Sequence, residues 1–153
     1  MDSLEIFIHS WMRWLVCFGV IANLALAYYG YFANKRFTLF NKIFSHVSVA
    51  FVHIQFISGL ILYYNSEITS MFFADMKGSM SNLEVRYFSI EHSLLMLIAV
   101  VLITVGSFKA KRIQGDKNKF KTLMIYFTLA CILILVAIPW EFSPYVQRPL
   151  FSS

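Results

Sequence analysis

The chain has 153 residues, of which 59% are hydrophobic and 14% charged, and its formal net charge is +5. This composition is too apolar for an ordinary soluble globular protein, and the length is that of one domain. The sequence therefore indicates a protein whose natural solvent is the lipid bilayer.

Four apolar stretches are each long enough to cross a hydrocarbon core about 30 Å thick at roughly 1.5 Å of helix rise per residue. Lipid cannot satisfy open backbone groups, and no segment alternates like the strands of a membrane barrel, so each stretch is predicted to be a helix. Short connections after the first and third stretches favour an up-down-up-down order. We predict one all-α domain over residues 1–153, an integral membrane four-helix bundle with spans at 6–32, 39–64, 87–108 and 120–140.

Basic residues concentrate in two connections, the one between the first two spans and the one between the last two. By the positive-inside rule both connections are cytoplasmic, so both termini are predicted to be extracytoplasmic. Topology and anionic lipid explain the positive charge better than nucleic acid does, and no nucleic-acid partner is predicted. These basic residues are Lys35, Arg36, Lys42, Lys109, Lys111, Arg112, Lys117, Lys119 and Lys121.

The longest connection, about residues 65–86, joins the second and third spans on the opposite side. It is rich in Ser, Asn and Gly, yet it contains an apolar patch at residues 71–73. We expect this patch to form a short helix on the outer membrane surface.

All four histidines, His9, His46, His53 and His92, fall within predicted spans. An ionisable group inside a membrane is costly and therefore suggests a function. His46 and His53 are seven residues apart, which places them within about 20° on one helical face. That face is expected to look into the bundle.

Imidazoles from separate helices in an apolar bundle suit a b-type haem. The preferred axial pair is His53 with His92, and His9 with His92 is a competing pair. One haem is expected, since a chain this small gives little support for a second one. His46 on its own is more simply read as a hydrogen-bonding residue. Arg13 or Arg86 would meet the haem propionates in bidentate fashion, and Glu91 could pair with one of these arginines.

Plainer readings of the same residues stay open. A membrane histidine often only hydrogen-bonds a neighbouring helix, and Asn23 is expected to do the same. The arginines could simply extend towards the outer headgroups. Gly59 and Gly106 would then mark close helix approach rather than room for a flat cofactor.

Several stretches resemble a family of small bacterial four-helix membrane proteins described as cytochrome b-like. They are IHSWMRW at 8–14, HIQFISGLILYY at 53–64, RYFSIEHSLLMLIAVVLITVG at 86–106 and AIPW at 137–140. The resemblance spans almost the whole chain and implies an inner-membrane location and haem binding. It directs attention to His9, Arg13, His53, Arg86, Glu91 and His92. A second, purely architectural similarity is to HemJ, the membrane protoporphyrinogen oxidase.

The leading hypothesis is a haem b-binding electron-transfer protein that exchanges electrons with quinol or another membrane redox partner. A HemJ-like porphyrinogen or quinol oxidase is the first alternative, and a cofactor-free subunit of a membrane complex or transporter is the second. The sequence leaves open whether the chain turns over a substrate and whether it forms a homodimer or joins a larger complex.

Overall fold

The computed structural model describes residues 3–140, and all of their regular structure is helical, with no strand among them. Four helical segments, Leu4–Phe32, Leu39–Asn65, Leu83–Arg112 and Asp116–Ala137, are long and apolar enough to cross a membrane. The prediction of an all-helical membrane protein with four spans is confirmed at this level. The helices in chain order are α1 (Ser3–Phe32), α2 (Leu39–Asn65), α3 (Glu67–Ala74), α4 (Met76–Ser79), α5 (Leu83–Arg86), a π-helical turn (Tyr87–Glu91), α6 (His92–Arg112) and α7 (Asp116–Ala137).

The turn between α1 and α2 is fixed at both of its ends. Asn34 adopts a left-handed conformation with φ 48°, and the Lys35 N–H donates to the Gly30 carbonyl at 3.0 Å. This is the usual way of closing a helix with an Asn just beyond its end. Thr38 then begins α2 with a reciprocal capping box to Asn41. The chain therefore reverses within a few residues.

The third and fourth membrane helices extend beyond the predicted boundaries on their basic side. The predicted span 87–108 continues to Arg112, and α7 begins at Asp116 rather than at residue 120. Lysine side chains lie along helix ends with their charges outside the apolar region, so they do not interrupt the helix. In the other direction α7 ends at Ala137, because the residue before Pro139 disfavours helical backbone.

The four long helices pack as a closed ring. α1 packs against α2 and α7, and α6 packs against the other side of the same two helices. The core contains small and medium side chains such as Val20, Ala99, Ile103 and Ala130, together with the fully buried Phe127. Gly106 lies against Tyr126, where a Cβ would collide with the ring, so this glycine allows α6 and α7 their close contact.

The connection between α2 and the third membrane segment folds into short helices. The apolar patch at residues 71–73 lies in α3, as predicted, with Phe72 buried and Met71 and Phe73 exposed. This exposed pair gives one end of the bundle an apolar rim.

Candidate functional site

The helix that carries His92 begins with a π-helical turn, Tyr87–Glu91. Hydrogen bonds in such a turn join residues five apart, and single π turns occur frequently at functional sites. The His92 N–H accordingly donates to the Tyr87 carbonyl. The turn brings Tyr87 and His92 to the same side of the helix, with ring centroids 5.9 Å apart.

Both side chains bond to one backbone carbonyl at the end of α7. The Tyr87 hydroxyl donates to the Ala137 carbonyl at 2.8 Å, and His92 Nδ1 donates to the same oxygen at 2.7 Å. This carbonyl is available because α7 stops at Ala137, so no later N–H of the helix bonds to it. His92 Nδ1 therefore carries the proton, and its Nε2 keeps a lone pair.

His9 of α1 is held in place by hydrogen bonds to residues of α2. Its Nδ1 lies 2.9 Å from Ser58 Oγ, whose single hydroxyl proton is directed to the Gln55 carbonyl at 2.8 Å. The histidine must therefore donate through Nδ1, which again leaves a lone pair on Nε2. The Gln55 amide donates to the His9 carbonyl at 2.9 Å and reinforces the same contact.

A glycine makes room for the His9 ring. A Cβ on Gly59 would lie 3.1 Å from His9 Cε1, closer than ordinary van der Waals contact. Gly59 is therefore a residue of close approach between α1 and α2, one of the two roles that its position in the sequence suggested.

His9, His92, Arg13 and Tyr87 form one cluster, which we call the outer cluster. Arg13 is half-buried and lies close enough to His9, His92 and Tyr87 to interact with them electrostatically, as His9 does with His92. The Arg13 guanidinium also lies 5.4 Å from the Trp14 ring centroid. Trp14 in turn meets Trp140 edge to face, with 6.4 Å between ring centroids.

His53 lies outside this cluster, at the contact between α2 and α6. Its Nε2 is 2.9 Å from Thr104 Oγ1, and that hydroxyl donates to the Val100 carbonyl at 2.7 Å. His53 therefore donates through Nε2, the nitrogen with which a haem ligand would bind iron, and its lone pair is on Nδ1.

His46 and His53 lie on one side of α2, seven residues apart, but the expectation that this side looks into the bundle interior is wrong for His46. His46 is exposed, and its Nδ1 donates to the Lys42 carbonyl at 2.6 Å within its own helix. The buried residues of α2 are Ser45, Ser48 and Val52, which set the rotation of the helix about its axis. Ser48 accepts from Asn23 at 2.6 Å, which confirms the predicted interhelical role of that asparagine.

Arg86 is already paired. Its Nε donates to Glu91 Oε1 at 2.8 Å, across the π turn and at partly exposed positions. The expectation that Glu91 pairs with an arginine is confirmed for Arg86. Arg13 is therefore the arginine that lies within the histidine cluster.

Three features of the outer cluster escaped the sequence reasoning: Ser58 and Gln55 as partners of His9, the Ala137 carbonyl, and the hydroxyl of Tyr87. Pro139 was a readable signal for the free carbonyl. The π turn had no such signal, since nothing in YFSIE distinguishes it from an ordinary helix.

The described residues contain no group of three or more His, Cys, Asp or Glu side chains placed to hold a metal ion. Two cavities lie at the opposite, basic end of the bundle, and neither is lined by His9, His53 or His92.

No protein-family model matches the chain, and no curated protein and no solved structure is significantly similar to it. The outer cluster must therefore be interpreted from its own chemistry.

Proposed function

We propose that the chain is a membrane haem b-binding electron-transfer protein whose iron is ligated by His9 and His92. One observation carries this proposal. Both imidazoles donate through Nδ1 to a protein acceptor, at 2.9 and 2.7 Å, and both keep an Nε2 lone pair within one cluster. Metal-ligating histidines almost always donate their other N–H in this way, which fixes the ring and raises its basicity.

The proposed axial pair is His9 with His92, whereas the sequence favoured His53 with His92. His53 uses Nε2 to hold Thr104, whereas His9 and His92 use Nδ1. Ligation through His53 would break an interhelical hydrogen bond inside the apolar bundle. His9 with His92 is therefore the pair that needs the smaller rearrangement.

A haem held by two imidazoles supplies one-electron transfer through the change of iron valence. Arg13 places a positive charge beside both histidines and is the residue to meet a propionate. Arg86 is the weaker candidate because Glu91 already neutralises it. Quinol or a membrane dehydrogenase would be the electron donor.

The donor set fits a haem. The two histidines belong to α1 and α6, which face each other across the ring without an extensive direct contact. A haem bound by His9 and His92 would therefore lie between these two helices.

The test is the reduced-minus-oxidised visible spectrum of purified protein from haem-replete cells. We expect a b-type spectrum that is lost in His9→Ala and in His92→Ala but retained in His53→Ala and in His46→Ala. A spectrum that is lost in His53→Ala and retained in His9→Ala would instead identify His53 of α2 as the axial ligand. Folded protein without any chromophore would overturn haem binding altogether.

We further propose that the four helices cross the bacterial inner membrane in up-down-up-down order with both ends of the chain extracytoplasmic. The contacts Asn23 with Ser48 and Tyr28 with Thr128 support antiparallel neighbours, and the nine basic residues of two connections support the orientation. Single cysteines at residues 35 and 66 check it. Labelling by an impermeant reagent from outside is expected at residue 66 only.

A cofactor-free structural subunit is the second candidate, and a specific observation favours it. All four histidines already have a hydrogen-bond partner within the chain. This candidate predicts colourless, folded protein that co-purifies with fixed partners. Oxidation of a porphyrinogen or a quinol stays a prediction, to be tested by turnover with the purified protein.

A further inference from the structure

A cavity of about 290 Å³ lies at the basic end of the bundle, far from the outer cluster. Its size is close to the lower end of the range of about 300–1,000 Å³ that is typical of ligand pockets. We call it the basic cavity. It is lined by Phe37, Thr38, Leu39, Lys42, Ser45, His46, Ser107, Ala110, Lys111, Lys119 and Leu123.

Three lysines from three helices converge on the basic cavity: Lys42 of α2, Lys111 of α6 and Lys119 of α7. No Asp or Glu of residues 3–140 lines it, and none of the three lysines forms an ion pair within that part of the chain. The cavity therefore concentrates positive charge that the described residues leave uncompensated.

Polar groups at the cavity add to its fit for an anion. Ser45 and Ser107 are buried and approach each other, with 3.5 Å between their hydroxyl oxygens. Thr38 and Leu39 form the N-terminal end of the 27-residue α2, where the helix dipole favours negative charge beside the capping box. Hydroxyl donors, a helix N-terminus and lysines are together the groups that bind phosphate.

The walls of the cavity are apolar on their remaining sides. Phe37, Ala110 and Leu123 line it, and the Lys119 ammonium lies 5.6 Å from the Phe37 ring centroid. The cavity lies where the apolar helices end, which is headgroup depth for a bundle that crosses a bilayer. Its occupant must therefore present a negative phosphate and an apolar body together.

We infer that the basic cavity binds the phosphodiester headgroup of an anionic phospholipid, with Lys42, Lys111 and Lys119 as the charged ligands. Charge complementarity and position both point to lipid rather than to a soluble anion. Basic pockets between membrane helices are a known mode of such recognition. This site is independent of haem, because it shares no residue with the outer cluster.

The test is native mass spectrometry of the full chain in detergent, with phosphatidylglycerol and phosphatidylcholine added in parallel. Each lysine near a bound headgroup contributes roughly fivefold in affinity. Lys42→Gln/Lys111→Gln/Lys119→Gln is therefore expected to weaken phosphatidylglycerol binding by more than about tenfold and to leave phosphatidylcholine unaffected.

The matched control is Lys35→Gln/Arg36→Gln/Lys121→Gln, which removes the same charge from the same end of the bundle outside the cavity. Only a small loss is expected in this variant. An equal loss in both triple variants would overturn the site, because general surface charge would then explain binding. Binding of inorganic phosphate without a preference for phosphatidylglycerol would contradict the assignment of a phospholipid as the ligand.

All six substituted residues are charged and lie near helix ends or in the connection between α1 and α2, so the variants are expected to fold. If the cavity variant nevertheless aggregates, Lys111→Gln alone, at an exposed position, carries the test. An unchanged preference for phosphatidylglycerol in that single variant would count against the proposal, and a roughly fivefold loss would support it.

Discussion

Tyr87 and His92 donate to the same oxygen, the carbonyl of Ala137, from two positions that only a π turn brings to one side of a helix. The contact ties the beginning of α6 to the end of α7. It also fixes the protonated nitrogen of His92, on which the proposed haem ligation depends.

Removing the Tyr87 hydroxyl tests this shared contact. Tyr87→Phe is expected to lower the free energy of unfolding by about 0.5–1.5 kcal/mol, the usual net value of one hydrogen bond. His92 still satisfies the carbonyl, so the larger cost of an unpaired buried acceptor is avoided. Tyr64→Phe, at an exposed residue, is the control, and equal stability of the two variants would contradict the contact.

Gly59 should be sensitive to even one methyl group. Gly59→Ala forces the His9 ring to move and is expected to destabilise the protein by about 1–3 kcal/mol, the usual cost of overpacking. In a His9→Ala background the same change should be neutral or stabilising, since alanine is the better helix former. Thermal unfolding of the four proteins in detergent measures this coupling, and additive effects would argue against it.

The Asn23 and Ser48 pair should make a measurable interhelical contribution. A double-mutant cycle with Asn23→Ala and Ser48→Ala is expected to give a coupling free energy of about 0.6 kcal/mol and no more than about 1.7 kcal/mol, the mean and the maximum for hydrogen bonds between membrane helices. His46→Ala should show no coupling to Asn23→Ala, because His46 is exposed and bonds within α2. Coupling of equal size in the two cycles would discredit the assignment.

The two arginines are expected to differ in their effect on a bound haem. Arg13→Gln removes a positive charge beside the histidines and should lower the reduction potential by tens of millivolts, at about 59 mV for each tenfold change in a one-electron equilibrium. Arg86→Gln should change it little, since Glu91 already compensates Arg86. Potentiometric titration of the two variants measures this difference. A larger shift for Arg86→Gln would indicate that Arg86, and not Arg13, lies beside the haem.

The membrane character of the fold could be predicted because it depends on composition and length, which a single apolar run such as residues 6–32 already displays. The ends of the helices were harder to predict. Lysines at a membrane boundary suggest a loop, yet the helix continues through Lys109 and Lys111, whose long apolar stems can lie along its end. Pro139 marked the true end of α7, but Trp140 was included because it too is apolar.

The candidate site was predicted only in part. The four histidines of the predicted spans can be read directly from the sequence. Which of them face each other, however, depends on how each helix is rotated about its axis. Buried Ser45 and Ser48 set that rotation for α2 and leave His46 exposed. The π turn then brings Tyr87 beside His92, which no periodicity of 3.6 residues would place there.

The early end of α7 also sets an order of assembly. The carbonyl that fixes His92 belongs to a residue 45 positions further along the chain. At a synthesis rate of about 5–20 residues per second, His92 therefore waits for seconds in the membrane before its partner emerges from the ribosome. The outer cluster is completed only when the last span is inserted, so a chain truncated after α6 would keep three membrane helices and lack a finished site.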